Sequence, residues 1–150
     1  MPLTEIDPAW AGWSGPIPQP EAEAAPFWDG LRRGVLVIQR CRDCHTWIHY
    51  PKASCPACHS FDLGFEPVSG RGEVYTFTSV AREFSPGVRP PYVAALVQLE
   101  DAPTVRLVTD LVGCEADQVH IGMPVRAVFQ EVSAEAGLVF FTPRENGVEQ

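Results

Sequence analysis

The chain contains two closely spaced cysteine pairs, Cys41-Arg42-Asp43-Cys44 and, ten residues later, Cys55-Pro56-Ala57-Cys58. Two such pairs are typical of a tetrahedral metal site, because a two-residue gap lets one tight turn present both sulfurs to the same ion. Four soft thiolates suit Zn²⁺ or a rubredoxin-like iron. A zinc ion with four protein ligands has no open position for chemistry. We therefore expect one structural zinc per chain, contributing about 10–16 kcal/mol to folding.

A histidine follows each pair, as Cys44-His45 and Cys58-His59. Cys-x-x-Cys-His is also the attachment motif of c-type haem, so an iron or haem electron carrier is an alternative. Haem attachment occurs in exported proteins, and the acidic amino terminus shows no export signal. This favours zinc in a reducing cytoplasm. The histidines are then knuckle residues at a positive φ, a conformation that His tolerates better than most residues.

The sequence before the cysteines predicts an arm and a helix. Residues 1–20 hold five prolines, which exclude a continuous helix. They also hold Trp10 and Trp13, which are costly to leave in water. Residues 21–34 predict a short helix that ends at Gly34, a residue suited to a carboxyl-terminal stop.

Strand patterns fill the rest of the chain. Residues 36–40 and 47–51 predict the two strands of a zinc-ribbon hairpin. Further along, five strands separated by turns are predicted at residues 72–80, 92–99, 105–111, 125–132 and 138–141. A connector with one helical turn is expected over residues 113–122. Five strands with one such connector match a Greek-key barrel of the OB type.

The predicted fold class is therefore mainly β, with an amino-terminal helix and a rubredoxin-like zinc ribbon followed by a five-stranded OB-fold barrel. No stretch approaches the ~20 apolar residues of a membrane span. The expected segments are an extended arm, a helix with its lead strand, the zinc ribbon, the OB-fold and a tail, at residues 1–20, 21–38, 39–66, 67–143 and 144–150.

The charge balance argues against a nucleic-acid or membrane partner. The formal net charge is -8, whereas such partners normally select a basic face. Residues 30–90 are the exception, with eight basic and five acidic side chains. This local excess allows a site for a phosphorylated ligand. A single-stranded nucleic-acid-binding OB-fold is kept as the alternative reading of the barrel.

The residues show no catalytic constellation. Cys114 and His120 stand six positions apart without a third group to orient them, so an inert half-buried thiol is the favoured interpretation. A Ser-His-Asp pattern, a phosphate-binding glycine loop and a nucleotide fingerprint are all missing from the sequence. We therefore expect no catalytic residue, and no enzyme activity from this chain on its own.

Several short motifs stand in order along residues 21–143: Phe27-Trp28-Asp29-Gly30-Leu31, Gln39-Arg40-Cys41-Arg42-Asp43-Cys44, Cys55-Pro56-Ala57-Cys58, Val68-Ser69-Gly70-Arg71-Gly72-Glu73-Val74-Tyr75, Pro91-Tyr92-Val93, Leu111-Val112-Gly113-Cys114 and Ile121-Gly122-Met123-Pro124-Val125. In this combination the chain resembles the zinc-ribbon plus OB-fold proteins of acyl-CoA metabolism, domain of unknown function family thirty-five. His45, His59 and the Trp/Pro arm depart from the family's pattern.

The resemblance implies a non-catalytic accessory subunit that binds a thiolase-like enzyme: a thiolase, an acyltransferase or a retro-aldolase of steroid side-chain breakdown. Some members are fused or bound to MaoC-type hydratases, and the small subunit is thought to help hold or channel the acyl-CoA. On that basis the expected partner contacts are Trp10, Trp13, Phe27 and Trp28. Guanidinium groups bind phosphate oxygens in pairs, so the expected CoA-phosphate contacts are Arg71, Arg82 and Arg89.

Overall fold

A computed structural model of the chain describes residues 15–84 and 86–144. Within these residues the chain forms a 3-10 turn at Ala22–Ala24, the helix α1 at Ala25–Arg32 and eight strands in two sheets. The first sheet carries the cysteine pairs, and the second closes into a barrel.

Of the predicted arm, only residues 15–20 are described. The arm tryptophans Trp10 and Trp13 lie outside the described residues, as does the tail from residue 145 onward. In the part of the chain that is described, no helix has the length and apolar character needed to cross a bilayer.

Helix α1 is shorter than the helix over residues 21–34 that the sequence predicts. Arg33 has already left the helical conformation, and Gly34 adopts a φ of 79°. Only glycine reaches that conformation without strain, so Gly34 ends the helix as expected. Asp29 binds the guanidinium groups of Arg32 and Arg33 at 2.8 and 2.9 Å on the exposed side of the last turn.

The ribbon sheet has the order β2-β1-β3, and all its neighbours are antiparallel. Its strands are β1 (Val37–Cys41), β2 (Trp47–Ile48) and β3 (Leu63–Pro67). β3 pairs with β1 along its whole length, although the sequence pattern did not predict it. Gly64 and Pro67 are both disfavoured in strands and hide the signal.

The return strand β2 has two residues, whereas the sequence predicts a strand over 47–51. Beyond Ile48 the chain is held by the buried side chain of Gln39. Its amide accepts a hydrogen bond from the Lys52 N–H at 2.8 Å and donates to the Lys52 carbonyl at 2.9 Å. The Gln39 side chain thus provides hydrogen bonds in place of those that a longer β2 would have made with β1.

The barrel strands are β4 (Arg71–Val80), β5 (Tyr92–Leu99), β6 (Arg106–Leu111), β7 (Pro124–Glu131) and β8 (Gly137–Pro143). They close in the order β4-β5-β6-β8-β7, with β6 and β8 parallel and the other neighbours antiparallel. The connector between β6 and β7 contains a 3-10 turn at Ala116–Gln118. The predicted fold class, mainly β with a five-stranded OB-type barrel, is confirmed.

One hydrophobic cluster joins the helix, the base of the ribbon and the barrel. Its members include Phe27 and Leu31 of α1, Ile38 of β1, Val97 of β5 and Phe141 of β8. Burying a side chain of this size contributes about 1.5–3 kcal/mol. The orientation of the ribbon on the barrel is therefore set by a shared core, with α1 packed between the two.

At Gly137 the barrel strand β8 nearly touches the helix. A Cβ added there would lie 2.5 Å from the backbone nitrogen of Arg32. We expect Gly137→Ala to lower the free energy of unfolding by about 1–3 kcal/mol, because neither backbone can move aside. Gly64→Ala is the matched control in urea unfolding, since its methyl group would meet only the flexible Arg42 side chain. Equal losses of unfolding free energy in the two variants would contradict this account of the close contact between β8 and α1.

Candidate metal centre

The four cysteine sulfurs converge at one end of the ribbon. All four Sγ atoms lie within 4.8 Å of one another, and the Cys41–Cys58 and Cys44–Cys55 sulfurs are each 3.6 Å apart. A tetrahedral Zn²⁺ with bonds of about 2.3 Å spaces its sulfurs by about 3.8 Å. The donor set therefore fits zinc. The haem alternative fails, because the two pairs meet at one point instead of forming two separate attachment sites.

The two knuckles share one backbone design. The Cys41 carbonyl accepts a hydrogen bond from the His45 N–H at 3.0 Å, and the Cys55 carbonyl accepts one from the His59 N–H at 2.9 Å. His45 and His59 have φ angles of 66° and 68°. The prediction of a positive φ after each pair is confirmed, and both histidines serve as turn residues.

Backbone N–H groups point at the sulfurs of both knuckles. Cys44 N–H donates to Cys41 Sγ at 3.4 Å, and the N–H groups of Ala57 and Cys58 donate to Cys55 Sγ at 3.3 and 3.5 Å. Hydrogen bonds to a sulfur favour its thiolate form, which is the form that binds metal. Cys41 and Cys55 are buried, whereas Cys44 and Cys58 are exposed, so the centre lies at the surface of the ribbon.

The thiols affect one another's protonation. The Thr46 hydroxyl, 3.0 Å from Cys44 Sγ, and the Thr46 backbone lower the pKa of Cys44 to about 6. At Cys58 a backbone hydrogen bond with Ser60 acts to lower the pKa. The neighbouring thiols, Cys44 first, and burial together outweigh it and raise that pKa to about 12. Ionisation of one thiol therefore disfavours ionisation of its neighbour, and a bound cation compensates the negative charge that causes this effect.

Polar side chains tie the two knuckles together. The Ser60 hydroxyl donates to the Asp43 carboxylate across the centre. Arg42 binds the Asp62 carboxylate and the Leu63 carbonyl, each at 2.9 Å, and so fastens the first knuckle to the start of β3.

Thr46 and Ser60 were not singled out from the sequence, although each stands two residues after the second cysteine of its pair. Their carbonyls accept the N–H groups of Cys41 and Cys55 at 3.0 and 2.9 Å. The repeated pattern Cys-x-x-Cys-His followed by a hydroxyl residue was the available signal. It marks both knuckles as copies of one turn.

The structure separates the two helix aromatics that were expected to contact a partner. Phe27 is 4% exposed and belongs to the core, which argues against a direct partner contact at this residue. Trp28 is half-buried, and its Nε1–H donates to the Tyr50 hydroxyl at 2.6 Å. A partner contact at Trp28 stays a prediction, as it does for Trp10 and Trp13 outside the described residues.

The three arginines expected to bind CoA phosphates do not form one cluster. Arg71 begins β4, and Arg82 and Arg89 follow its other end, so a ten-residue strand of about 30 Å separates them. Arg71 is already paired with Glu100 at 3.0 Å. Arg82 lies over the Phe84 ring at 5.6 Å, and Arg89 is exposed on the same loop. A single phosphate group therefore cannot meet all three arginines.

Geometry and topology define a class of small protein in which a four-cysteine zinc ribbon and an OB-fold barrel share one helix. The family model described as "ChsH2, rubredoxin-like zinc ribbon domain" matches residues 28–64, and "ChsH2, C-terminal OB-fold domain" matches residues 65–130. A DUF35 domain-containing scaffold protein of Methanocaldococcus jannaschii is 34% identical over 109 residues, which are 69% of this chain and 73% of that protein. The chain therefore belongs to the ChsH2-type DUF35 family, and its ribbon is a structural zinc site.

Two further relatives are longer than this chain. One is described as a "Probable enoyl-CoA hydratase alpha subunit" of Thermomonospora curvata, 38% identical over 85% of this chain. The other is the "3-oxo-4,17-pregnadiene-20-carboxyl-CoA hydratase alpha subunit" of Mycobacterium tuberculosis, 37% identical over 75% of this chain. The matched regions span only 40% and 35% of the lengths of those proteins.

Two solved structures share the fold. A chain in the structure titled "Ltp2-ChsH2(DUF35) aldolase" matches with a TM-score of 0.77 and 38% identity, over 85% of this chain and 98% of that chain. A DUF35 protein of unknown function from Sulfolobus solfataricus matches with a TM-score of 0.55 and 14% identity, over 79% of this chain and 83% of that chain. The second likeness extends to the fold alone.

We expect Cys41→Ser to lose essentially all of its zinc, because three thiolates cannot complete the tetrahedral site. Metal analysis of the purified protein should give close to one zinc per wild-type chain. Cys114→Ser is the matched control and should keep that zinc, because Cys114 lies outside the sulfur cluster. Amide NMR signals should show a disordered ribbon in the first variant only. A Cys41→Ser variant with its zinc and an intact ribbon would refute the assignment.

Proposed function

We propose that this chain is a non-catalytic accessory subunit that binds a thiolase-like enzyme acting on a CoA thioester. A retro-aldolase of steroid side-chain breakdown is the first partner to test. The observation that carries the proposal is the match to a chain of the Ltp2-ChsH2(DUF35) aldolase, which extends over 98% of that chain at 38% identity. The names of the two hydratase α subunits add that CoA thioesters are the substrates of relatives.

The chemistry of the described residues supports a binding role. Four of the five cysteines form the zinc centre, where four sulfurs leave no position for a substrate. His45 and His59 serve as turn residues in the knuckles. His120 is exposed just after the 3-10 turn, and Cys114 is half-buried. The chain therefore offers surfaces to a partner, and the enzyme subunit supplies the reacting groups.

Acyl-CoA binding or channelling by this chain is the finer part of the proposal. The loop after β4 carries Arg82 and Arg89, both exposed. A cavity of about 510 Å³ lies between the start of β5 and the connector, but Glu115 and Asp117 line it. Those carboxylates would repel phosphates, so the arginine loop is the better phosphate site. A MaoC-type hydratase is the second class of partner to test, since two relatives are described as hydratase α subunits.

The partner proposal can be tested by co-expression with the Ltp2 subunit of the solved aldolase. We expect the two proteins to co-elute in a fixed ratio, and retro-aldol cleavage of a steroid CoA thioester to require both. Cys41→Ser should abolish co-elution if the zinc ribbon shapes the contact surface. A thiolase-like enzyme from the organism that encodes this chain is the second, homologous probe. Elution of the wild-type chain alone from both enzymes would refute the accessory role.

The phosphate contact has a separate test in the assembled complex. Arg82→Gln combined with Arg89→Gln should raise the KM for the CoA thioester by about tenfold, because two charge-assisted hydrogen bonds are lost. The kcat should stay within about twofold, since these contacts would be the same in the ground and transition states. Arg71→Gln is the control and should leave KM unchanged. Unchanged KM in the double variant would place the CoA phosphates on the partner.

A further inference from the structure

A groove lies where the helix, the ribbon and the barrel meet. Its volume is about 370 Å³, which falls in the range of ~300–1,000 Å³ typical of small-molecule sites, and such sites favour junctions of this kind. The walls are apolar and aromatic, with contributions from Phe27 and Trp28 of α1, Tyr50 after β2, Val108 of β6 and Leu138 of β8. The residues that line the groove include none of the zinc ligands and none of the arginines expected to bind CoA phosphates.

The aromatic wall of the groove is held rigidly. The hydrogen bond from Trp28 Nε1–H to the Tyr50 hydroxyl fixes the two rings at a centroid distance of 6.4 Å. The buried Phe27 ring contacts them edge-on, with centroids 5.2 Å from Trp28 and 6.1 Å from Tyr50. Side chains that are already ordered lose little entropy when a ligand binds, so such a wall favours binding.

His49 lines the groove and carries a ring nitrogen to which no described residue is hydrogen-bonded. Its Nδ1 is buried and has no hydrogen-bond partner among the described residues, whereas buried polar atoms are normally paired. Burial lowers the pKa of the imidazole to about 4, so the ring is neutral at pH 7. A neutral imidazole nitrogen can accept a hydrogen bond or, in the other tautomer, donate one.

Arg106 places a positive charge at the rim. Its guanidinium lies 3.9 Å from the centre of the Tyr75 ring on β4, a residue outside the groove lining. Within residues 15–84 and 86–144 no carboxylate lies within ion-pair distance of it. The other rim residue on β6 is Val108, which is 79% exposed. The groove therefore joins an apolar interior to a cation that forms no ion pair with any described carboxylate.

We propose that this groove binds a small amphipathic organic anion. The apolar body of the ligand packs against Trp28, Val108 and Leu138, and its carboxylate or sulfonate binds Arg106. This inference goes beyond the accessory role, because the site is complete within one chain and needs no enzyme subunit.

Anilinonaphthalene sulfonate is a probe of this chemistry, with a flat apolar body and one anionic group. Titrated into the isolated full chain, it should bind with one molecule per chain and with enhanced fluorescence. Two-dimensional NMR should show shifts of the Trp28 indole N–H and the His49 ring, which lie on the groove. Shifts confined to other parts of the molecule would overturn the assignment.

Matched variants separate the rim charge from general electrostatics. Arg106→Gln should weaken binding of the sulfonate by about fivefold, as expected for an ion pair near the surface. Arg106 is exposed, so the fold should be retained. Arg33→Gln removes an exposed charge from the end of α1 outside the groove lining, and it should bind like wild type. N-phenylnaphthylamine has no charge, and its affinity should be the same in all three proteins.

Two results would overturn the proposal. Equal weakening in Arg106→Gln and Arg33→Gln would mean that the probe responds only to the protein's overall charge. Failure of the probe to bind the free chain, together with a Trp28 indole shift on addition of the Ltp2 subunit, would assign the groove to a partner side chain. The second result would leave the accessory role intact, so the two proposals fail separately.

Discussion

Four thiolates within 4.8 Å of one another repel unless a cation lies between them, and the ribbon depends on that cation. The ribbon has only a small apolar core of its own. Its return strand has two residues, and its own buried cluster consists of Cys41, Ile48 and Cys55. Its hydrogen bonds come from the β1–β3 ladder, from backbone N–H groups aimed at sulfur, and from side chains such as Gln39 and Arg42. Metal binding is therefore part of folding in this part of the chain, not an addition to a finished structure.

Strand β1 carries the constraint from the metal to the rest of the molecule. Its last residue, Cys41, lies in the ribbon cluster, and Ile38 lies in the cluster shared by α1 and the barrel. The same strand pairs with β2 on one side and β3 on the other. A rotation of the ribbon against the barrel would have to break the packing of the shared core. The ribbon and the barrel therefore keep a fixed relative orientation, which suits a subunit that must present several surfaces to a partner.

The sequence predicts a site well where the chemistry of its residues allows one role, as with paired cysteines. It does not predict which of two similar neighbouring residues will be buried and which will face a ligand or partner. The cysteine spacing led to the metal centre, and the apolar run Tyr92–Leu99 led to β5 with its observed bounds. Phe27 and Trp28 are adjacent aromatics on a helix, and only packing determines that Phe27 faces inward beside Leu31. Arg71 and Arg82 are near in sequence, yet an extended strand carries them apart. The groove escaped notice because its walls come from segments that tertiary folding alone brings together.

The outer wall of the barrel supplies a physical reason why the chain should have a partner. Alternate residues of β5 point into the barrel, so Ala94 and Leu96 point outward, and Leu96 pairs across the sheet with the highly exposed Val108. An antiparallel strand with one face in water normally carries polar residues on that face. A strand that is apolar on both faces is typical of one covered on both. An accessory subunit needs such a surface, because apolar area removed from water on association is the main source of binding free energy.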